Sequence, residues 1–158
     1  MFLFFQQGNN PSRAILFLDI DGVMITTGES ETQHQPKFSA TPVQNLKRLL
    51  AAIPDLEVVI TSAWRLTAWK HLLLLWQQAG LPEQRLGGRT PHLGPDGGRG
   101  AEISQWLEKA QGHIRQYAVL DDMNFGLTPP IPADHVFICH PHDGLTEKMA
   151  QRLEAFLR

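Results

Sequence analysis

An α/β fold is the class that the sequence predicts: a Rossmann-like three-layer sandwich in which a mainly parallel five-stranded sheet lies between two layers of helices. Three observations predict it. Short apolar runs rich in β-branched and aromatic residues recur along the chain, segments with helical periodicity separate them, and Gly and Pro mark the boundaries. Because parallel strands need long crossover connections, alternation of strand and helix is typical of a parallel sheet.

Five segments predict the strands, because each is a short apolar run bounded by turn residues. They are residues 13–18, 56–61, 117–120 and 135–139, together with a weaker candidate at residues 90–93 in a Gly- and Pro-rich stretch. The unbroken hydrophobicity of the first two (RAILFL and LEVVIT) is typical of strands that are buried on both faces.

Helical spacing of apolar residues predicts the helices between these strands. They are expected at residues 41–53, 64–79, 103–110 and 146–156. The first has the clearest beginning: Thr41 is expected to be the N-cap, Pro42 takes the first helical position, and Gln44 completes a capping box. Pro54 ends that helix.

Composition limits the classes of function. The 158 residues carry 14 Lys+Arg against 16 Asp+Glu, for a net charge of −2, so no general positive field draws the protein to nucleic acid or to a membrane. A phosphorylated partner must therefore be held by a local site. The single cysteine, Cys139, excludes a disulfide scaffold and fits a reducing cytoplasm.

The chain is expected to consist of a lead-in, residues 1–12, and one domain, residues 13–158. The apolar runs at residues 2–5 and 72–76 are far shorter than the ~20 residues of a membrane span. Residues 1–12 also lack the basic start and the small-residue cleavage site of a signal peptide. A cytoplasmic protein without a membrane segment is expected.

Acidic residues stand where two of the predicted strands end. Asp19 and Asp21 follow the first strand and point to the same side of an extended chain, while Asp121 and Asp122 follow the strand at residues 117–120. Ligands of such folds bind beyond the carboxyl ends of the strands, so these carboxylates are expected to meet. Their mutual repulsion calls for a cation, and hard oxygen ligands suit Mg²⁺.

Hydroxyl and cationic side chains near these acids suit a phosphate. Thr61 and Ser62 end the second strand, where they can cap the next helix or bind an anion. Arg99 lies in a Gly-rich turn (GGRG) that lets it approach a phosphate closely. Three other arginines compete for this role: Arg65, Arg85 and Arg89.

These motifs, in this order, resemble those of the haloacid dehalogenase (HAD) superfamily. The matching residues are Asp19, Asp21 and Gly22 after the first strand, Thr61 after the second, Arg99 at a helix start, and Asp121 with Asp122 after a later strand. The stretches LDIDGV, TSAWR, GRGAEISQWL, VLDD and HDGLT further resemble the phosphatase-like branch found in Swiss Army Knife RNA repair proteins.

The resemblance implies a Mg²⁺-dependent phosphomonoesterase that works through an aspartyl-phosphate. Asp19 would be the nucleophile, and Asp21 would protonate the leaving oxygen and then activate water. Thr61, Ser62 and Arg99 would bind the phosphoryl oxygens. An acid at position 21 argues against dehalogenase and pump-type ATPase chemistry, which use other residues there.

The resemblance also implies the metal ligands. Asp19, the backbone carbonyl of Asp21 and the carboxylate of Asp122 would hold Mg²⁺. Asp121 would either join them or fix Arg99, and the sequence leaves both arrangements open.

The spacing of the motifs leaves no room for a large cap domain. Only residues 23–40 separate the first motif from the first helix, and residues 62–98 hold one helix and a short strand. An open site would admit a bulky phosphorylated substrate, such as a nucleotide or an RNA or DNA end. Trp64 and Arg65, beside the second motif, are candidate substrate contacts.

Two other functions stay open. The chain could be a receiver-like phosphoacceptor, although Asp21 supplies an acid and base that receivers lack, or a binding module that kept the fold without useful activity. His140 and His142 are expected to lie in a loop and not to bind zinc or copper, because no paired ligand motif accompanies them. Trp69 and Trp76 are expected to pack against other apolar groups.

Overall fold

The computed structural model describes residues 12–30 and 36–158. Its elements in chain order are β1 (Arg13–Leu18), α1 (Thr27–Ser30), α2 (Ala40–Ala52), β2 (Leu56–Ile60), α3 (Trp64–Thr67), α4 (Trp69–Gln78), β3 (Leu86–Arg89), α5 (Gly98–Lys109), β4 (Ile114–Asp121), β5 (Val136–Ile138) and α6 (Glu147–Leu157). The expected lead-in lies outside the described residues, apart from Ser12. No helix in these ranges is long and apolar enough to cross a membrane.

All five strands are parallel and lie in the order β3-β2-β1-β4-β5, which confirms the predicted fold class. Leu18 at the end of β1 pairs with Ile60 of β2 on one side and with Leu120 of β4 on the other. The residues that follow these three positions therefore emerge side by side at the carboxyl edge of the sheet.

Helices cover both faces of the sheet, because side chains alternate along each strand. Along β1, Leu16 and Leu18 belong to the core under α2, α4 and α6, whereas Ile15 and Phe17 belong to the core under α5. The Phe17 ring meets that of Trp106 edge to face, with centroids 5.4 Å apart. The three expected layers are thus confirmed.

No large cap domain covers the carboxyl edge in the described part of the chain. Between β1 and α2 the structure describes only the short helix α1, and between β2 and α5 it contains α3, α4 and the edge strand β3. The edge of the sheet where the acids emerge is therefore open.

The predicted beginning of α2 is wrong. The helix starts at Ala40 and its N-cap is Ser39, two residues before Thr41. The Ser39 hydroxyl accepts a hydrogen bond from the amide of Thr26 at 3.0 Å and so ties the start of the helix to the loop after β1. It accepts no hydrogen bond from the amides of the first helical turn. The local sequence does not indicate the hydrogen bond between Ser39 and Thr26.

Two further predictions of secondary structure are corrected. The single helix expected at residues 64–79 is two helices, α3 and α4, separated by Ala68 with φ −136°. The strand expected at residues 90–93 lies earlier, as β3, where Gly88 pairs with Val59 of β2. Consecutive glycines have a low propensity for strands, and here pairing with β2 overrides that preference.

Candidate active site

Three carboxylates converge beyond β1 and β4. Asp19 follows β1, Asp121 ends β4, both are buried, and Asp122 comes next. One oxygen from each lies within 4.8 Å of the others. Gly22 makes room for this cluster: its φ is +77°, and a Cβ there would lie 2.4 Å from Asp122 Oδ2. Residue 22 must therefore be glycine for Asp122 to reach Asp19.

Burial and like charge make this cluster suitable for a cation. The pKa of Asp19 is raised to about 8, first by burial and then by the neighbouring charge of Asp121, while Arg99 opposes the rise. Burial also raises the pKa of Asp122. A divalent cation would offset both effects, and three carboxylates are the hard oxygen donors that Mg²⁺ prefers. These residues fit the expected metal.

Asp121 has hydrogen-bond partners within the protein on both of its oxygens. Its Oδ2 accepts from Arg99 Nη1 at 2.5 Å, and its Oδ1 accepts from the amides of Asp122 at 2.8 Å and Met123 at 3.1 Å. This favours Asp122 over Asp121 as the direct metal ligand and gives Asp121 the role of fixing Arg99.

Arg99 is the arginine that the structure places at the carboxylates. Its Nη1 lies 3.5 Å from Asp19 Oδ1, in addition to its bond with Asp121. Of the competing arginines, Arg85 donates to backbone carbonyls of the α2–β2 connection, and Arg89 donates to the Arg65 carbonyl. Neither forms an ion pair with the acids of the cluster.

Thr61 and Ser62 lie beside the cluster at the end of β2. Thr61 is fully buried, and its hydroxyl oxygen has no hydrogen-bond partner among the described residues. A buried hydroxyl without a partner is costly, but Thr61 does not itself line the cavity. Ser62 lines the cavity, and its hydroxyl accepts from the amide of Trp64 at 3.3 Å, as a helix cap does.

The structure gives Arg65 a structural position and not the expected contact with substrate. The side chain is only 3% exposed, and all five of its N–H groups are engaged. Its partners are the carbonyls of Thr61, Ser62, Thr90 and Pro91 and the carboxylate of Glu102, at 2.8 to 3.1 Å. Arg65 thus ties the loop after β2 to α5, which carries Arg99, and leaves no donor for a substrate.

Trp64 follows Ala63, which lines the cavity, and is hydrogen-bonded to one of the acids. Its indole Nε1 donates to Asp21 Oδ2 at 3.0 Å, and its ring stacks on His71 with centroids 5.7 Å apart. The TSAWR motif indicated that Trp64 lies near the site. It gave no sign of this contact, because the two residues are 43 positions apart and share no local pattern.

The acids and Arg99 line an open cavity of about 470 Å³. Asp19, Asp21, Arg99 and the acidic pair form its floor together with Ser62 and Glu102. Two apolar side chains from the loop after β4 also line the cavity: Met123 is 60% exposed and Phe125 is 90% exposed. An apolar surface thus lies next to the charged floor.

The histidine and tryptophan side chains outside the cavity lie where the sequence predicts, in a loop and in packed positions. His140 and His142 lie in the turn after β5, and the one group of three potential metal ligands within the described residues is the aspartate cluster. Trp76 is fully buried in the core, and Trp69 packs beneath the guanidinium of Arg89. Burial raises the pKa of the Cys139 thiol to about 12, so the thiol is inert.

Comparison with known families agrees with this geometry. A family model described as the HAD domain in Swiss Army Knife RNA repair proteins matches residues 15–150, which include all of the residues placed at the cavity. No curated protein is similar enough to the chain to count as a match.

Proposed function

Because the chain belongs to the family of HAD domains found in Swiss Army Knife RNA repair proteins, we propose that it is a Mg²⁺-dependent phosphomonoesterase that works through an aspartyl-phosphate. The observation that carries this proposal is the buried carboxylate of Asp19, which lies between two further carboxylates and a guanidinium at the carboxyl edge of the sheet. Burying carboxylates this close together destabilises a fold, and such clusters are typical of functional sites.

Asp19 is the nucleophile in this proposal. One of its oxygens forms a bond to phosphorus while the bond from phosphorus to the leaving oxygen breaks. Arg99, 3.5 Å from Asp19 Oδ1, lies where it can hold the phosphoryl oxygens. Thr61, whose hydroxyl has no partner among the described residues, and the neighbouring Ser62 are assigned the other phosphoryl oxygens on the resemblance of the motif. Mg²⁺, held by Asp19, Asp122 and the carbonyl of Asp21, would reduce the repulsion between nucleophile and substrate.

Asp21 is the general acid and base. It gives its proton to the leaving oxygen in the first step, then takes a proton from water in the second. The water oxygen attacks phosphorus, the bond from phosphorus to Asp19 breaks, and inorganic phosphate leaves. Asp19 is a carboxylate again at the end of the cycle. Asp21 suits this role because it is exposed, lines the cavity and does not belong to the aspartate cluster.

Nucleotides or phosphorylated RNA and DNA ends are the proposed substrates. The open cavity admits a bulky group, and the exposed ring of Phe125, which lines it, can pack on a base. The family description, which refers to RNA repair proteins, supports the same class of substrate. A cytoplasmic location is proposed on the sequence alone, from its single cysteine.

Phosphate release tests the proposed activity. The wild-type chain is expected to release many phosphates per molecule in Mg²⁺ and almost none in EDTA, because the nucleophile needs the cation. The panel comprises p-nitrophenyl phosphate, nucleoside monophosphates, 3′- and 5′-phosphorylated RNA and DNA oligomers, sugar phosphates and phosphopeptides. Nucleic-acid ends should give the highest kcat/KM. Release of one phosphate per chain would instead indicate a receiver-like phosphoacceptor, and no release at all would indicate a binding module.

Phe125→Ala tests the proposed substrate class. Stacking of a base on an aromatic side chain contributes about 1–3 kcal/mol, so KM for a phosphorylated oligonucleotide should rise roughly tenfold. KM for glycerol phosphate, which has no ring, should not change. Leu74→Ala is the matched control, since Leu74 is also an exposed apolar residue but lies on α4, outside the cavity lining. Equal KM values for Phe125→Ala and wild type would contradict the stacking role.

A further inference from the structure

We propose that Trp64 is a positioning residue that holds the carboxyl group of Asp21 in place for proton transfer. This inference rests on the proposed function, in which Asp21 gives a proton to the leaving oxygen. Trp64 would act through Asp21 and would not itself touch the reacting atoms. The proposal assigns a role to the indole N–H, which donates to Asp21 Oδ2 at 3.0 Å.

Asp21 needs such support because of where it lies. It is exposed, and it follows the end of β1, outside the ladder that fixes the strand residues. A carboxyl group in that position can adopt several rotamers. Proton transfer requires the acid to remain within hydrogen-bond reach of the leaving oxygen, and misplacement by about 1 Å is costly.

Trp64 is a rigid support. It is the first residue of α3, its amide donates to Ser62 Oγ at 3.3 Å, and its half-buried ring packs against the main core. The face of the ring also stacks on His71, with 18° between the planes. The donor is therefore anchored to the loop after β2, which begins with Thr61 and Ser62.

The chemistry of the indole suits this role, because an indole N–H can donate a hydrogen bond but cannot accept one. Trp64 therefore orients the carboxyl group of Asp21 through Oδ2 and makes no hydrogen bond with Oδ1.

A leaving-group series with Trp64→Phe tests the proposal, because phenylalanine keeps a ring and removes the N–H. kcat/KM reports on leaving-group departure, where a poor leaving group depends on the acid and a good one does not. For an alkyl phosphate kcat/KM should fall about tenfold, a part of the 10²–10⁴-fold typical of general acids. For p-nitrophenyl phosphate the fall should stay below about twofold. Trp69→Phe, the same change at a tryptophan that does not contact Asp21, should match wild type on both.

A double variant separates positioning from a structural role. In an Asp21→Asn background no acid remains to be positioned, so adding Trp64→Phe should not lower kcat/KM further. An equal loss across the series, or a further loss in that background, would overturn the proposal, as would wild-type behaviour of Trp64→Phe. If the wild-type chain itself turns over no substrate, the proposed function fails, and this inference fails with it.

Discussion

Asp19→Asn is expected to abolish turnover while leaving the fold intact. Asparagine has nearly the shape of aspartate but is a poor nucleophile, so no phosphoenzyme can form and the loss should reach about 10⁴-fold or more. The fold should survive because asparagine keeps the shape of the side chain and is neutral, which suits a buried position: Asp19 is only 5% exposed. Phosphate release from p-nitrophenyl phosphate in Mg²⁺ measures the first effect, and far-UV circular dichroism measures the second.

Asp96→Asn is the matched control for this variant. Asp96 is exposed in the turn before α5 and does not belong to the aspartate cluster, so the same chemical change there should leave turnover at the wild-type value. Wild-type activity in Asp19→Asn would contradict the proposed mechanism, in which the Asp19 carboxylate forms the phosphoenzyme. Loss of activity in Asp96→Asn as well would show that the assay reports folding and not the nucleophile.

The position of the site could be predicted because it follows from backbone geometry. Asp19, Thr61 and Asp121 each come directly after a buried apolar run, and parallel strands bring such positions to one edge of the sheet. Sequence alone therefore located the acids, the hydroxyl and the edge. Arg99 followed from a separate feature, a Gly-rich turn before a helix.

The roles of Trp64 and Arg65 could not be predicted, because they depend on contacts between distant elements. Arg65 lies beside a motif, and an arginine side chain is usually exposed. It is buried here because Glu102 on α5 and four carbonyl groups compensate its charge. Trp64 likewise finds its acceptor across the sheet edge, at Asp21. Local patterns carry no information on such pairings.

Rising pH is expected to destabilise the metal-free protein. The pKa of Asp19 is about 8 in the folded chain because of burial, against 3.8 for an ordinary aspartate. Between these values the folded state keeps a proton that the unfolded state has lost, so the free energy of unfolding falls as pH rises and the loss is complete above about pH 8. Each tenfold difference in acidity between the two states corresponds to about 1.4 kcal/mol, so the loss should be large enough to measure by chemical unfolding.

Chemical unfolding in EDTA at about pH 5 and about pH 8 measures this loss. Asp19→Asn should remove most of the difference, since asparagine does not titrate, whereas Asp96→Asn should retain all of it. Mg²⁺ should stabilise the wild type more at the higher pH, because it binds ionised carboxylates. Without a cation, burial and like charge disfavour that ionised form. Two results would contradict this account: an equal free energy of unfolding at both pH values in the wild type, or an unchanged pH dependence of stability in Asp19→Asn. Either would show that burial in the cluster does not raise the pKa of Asp19.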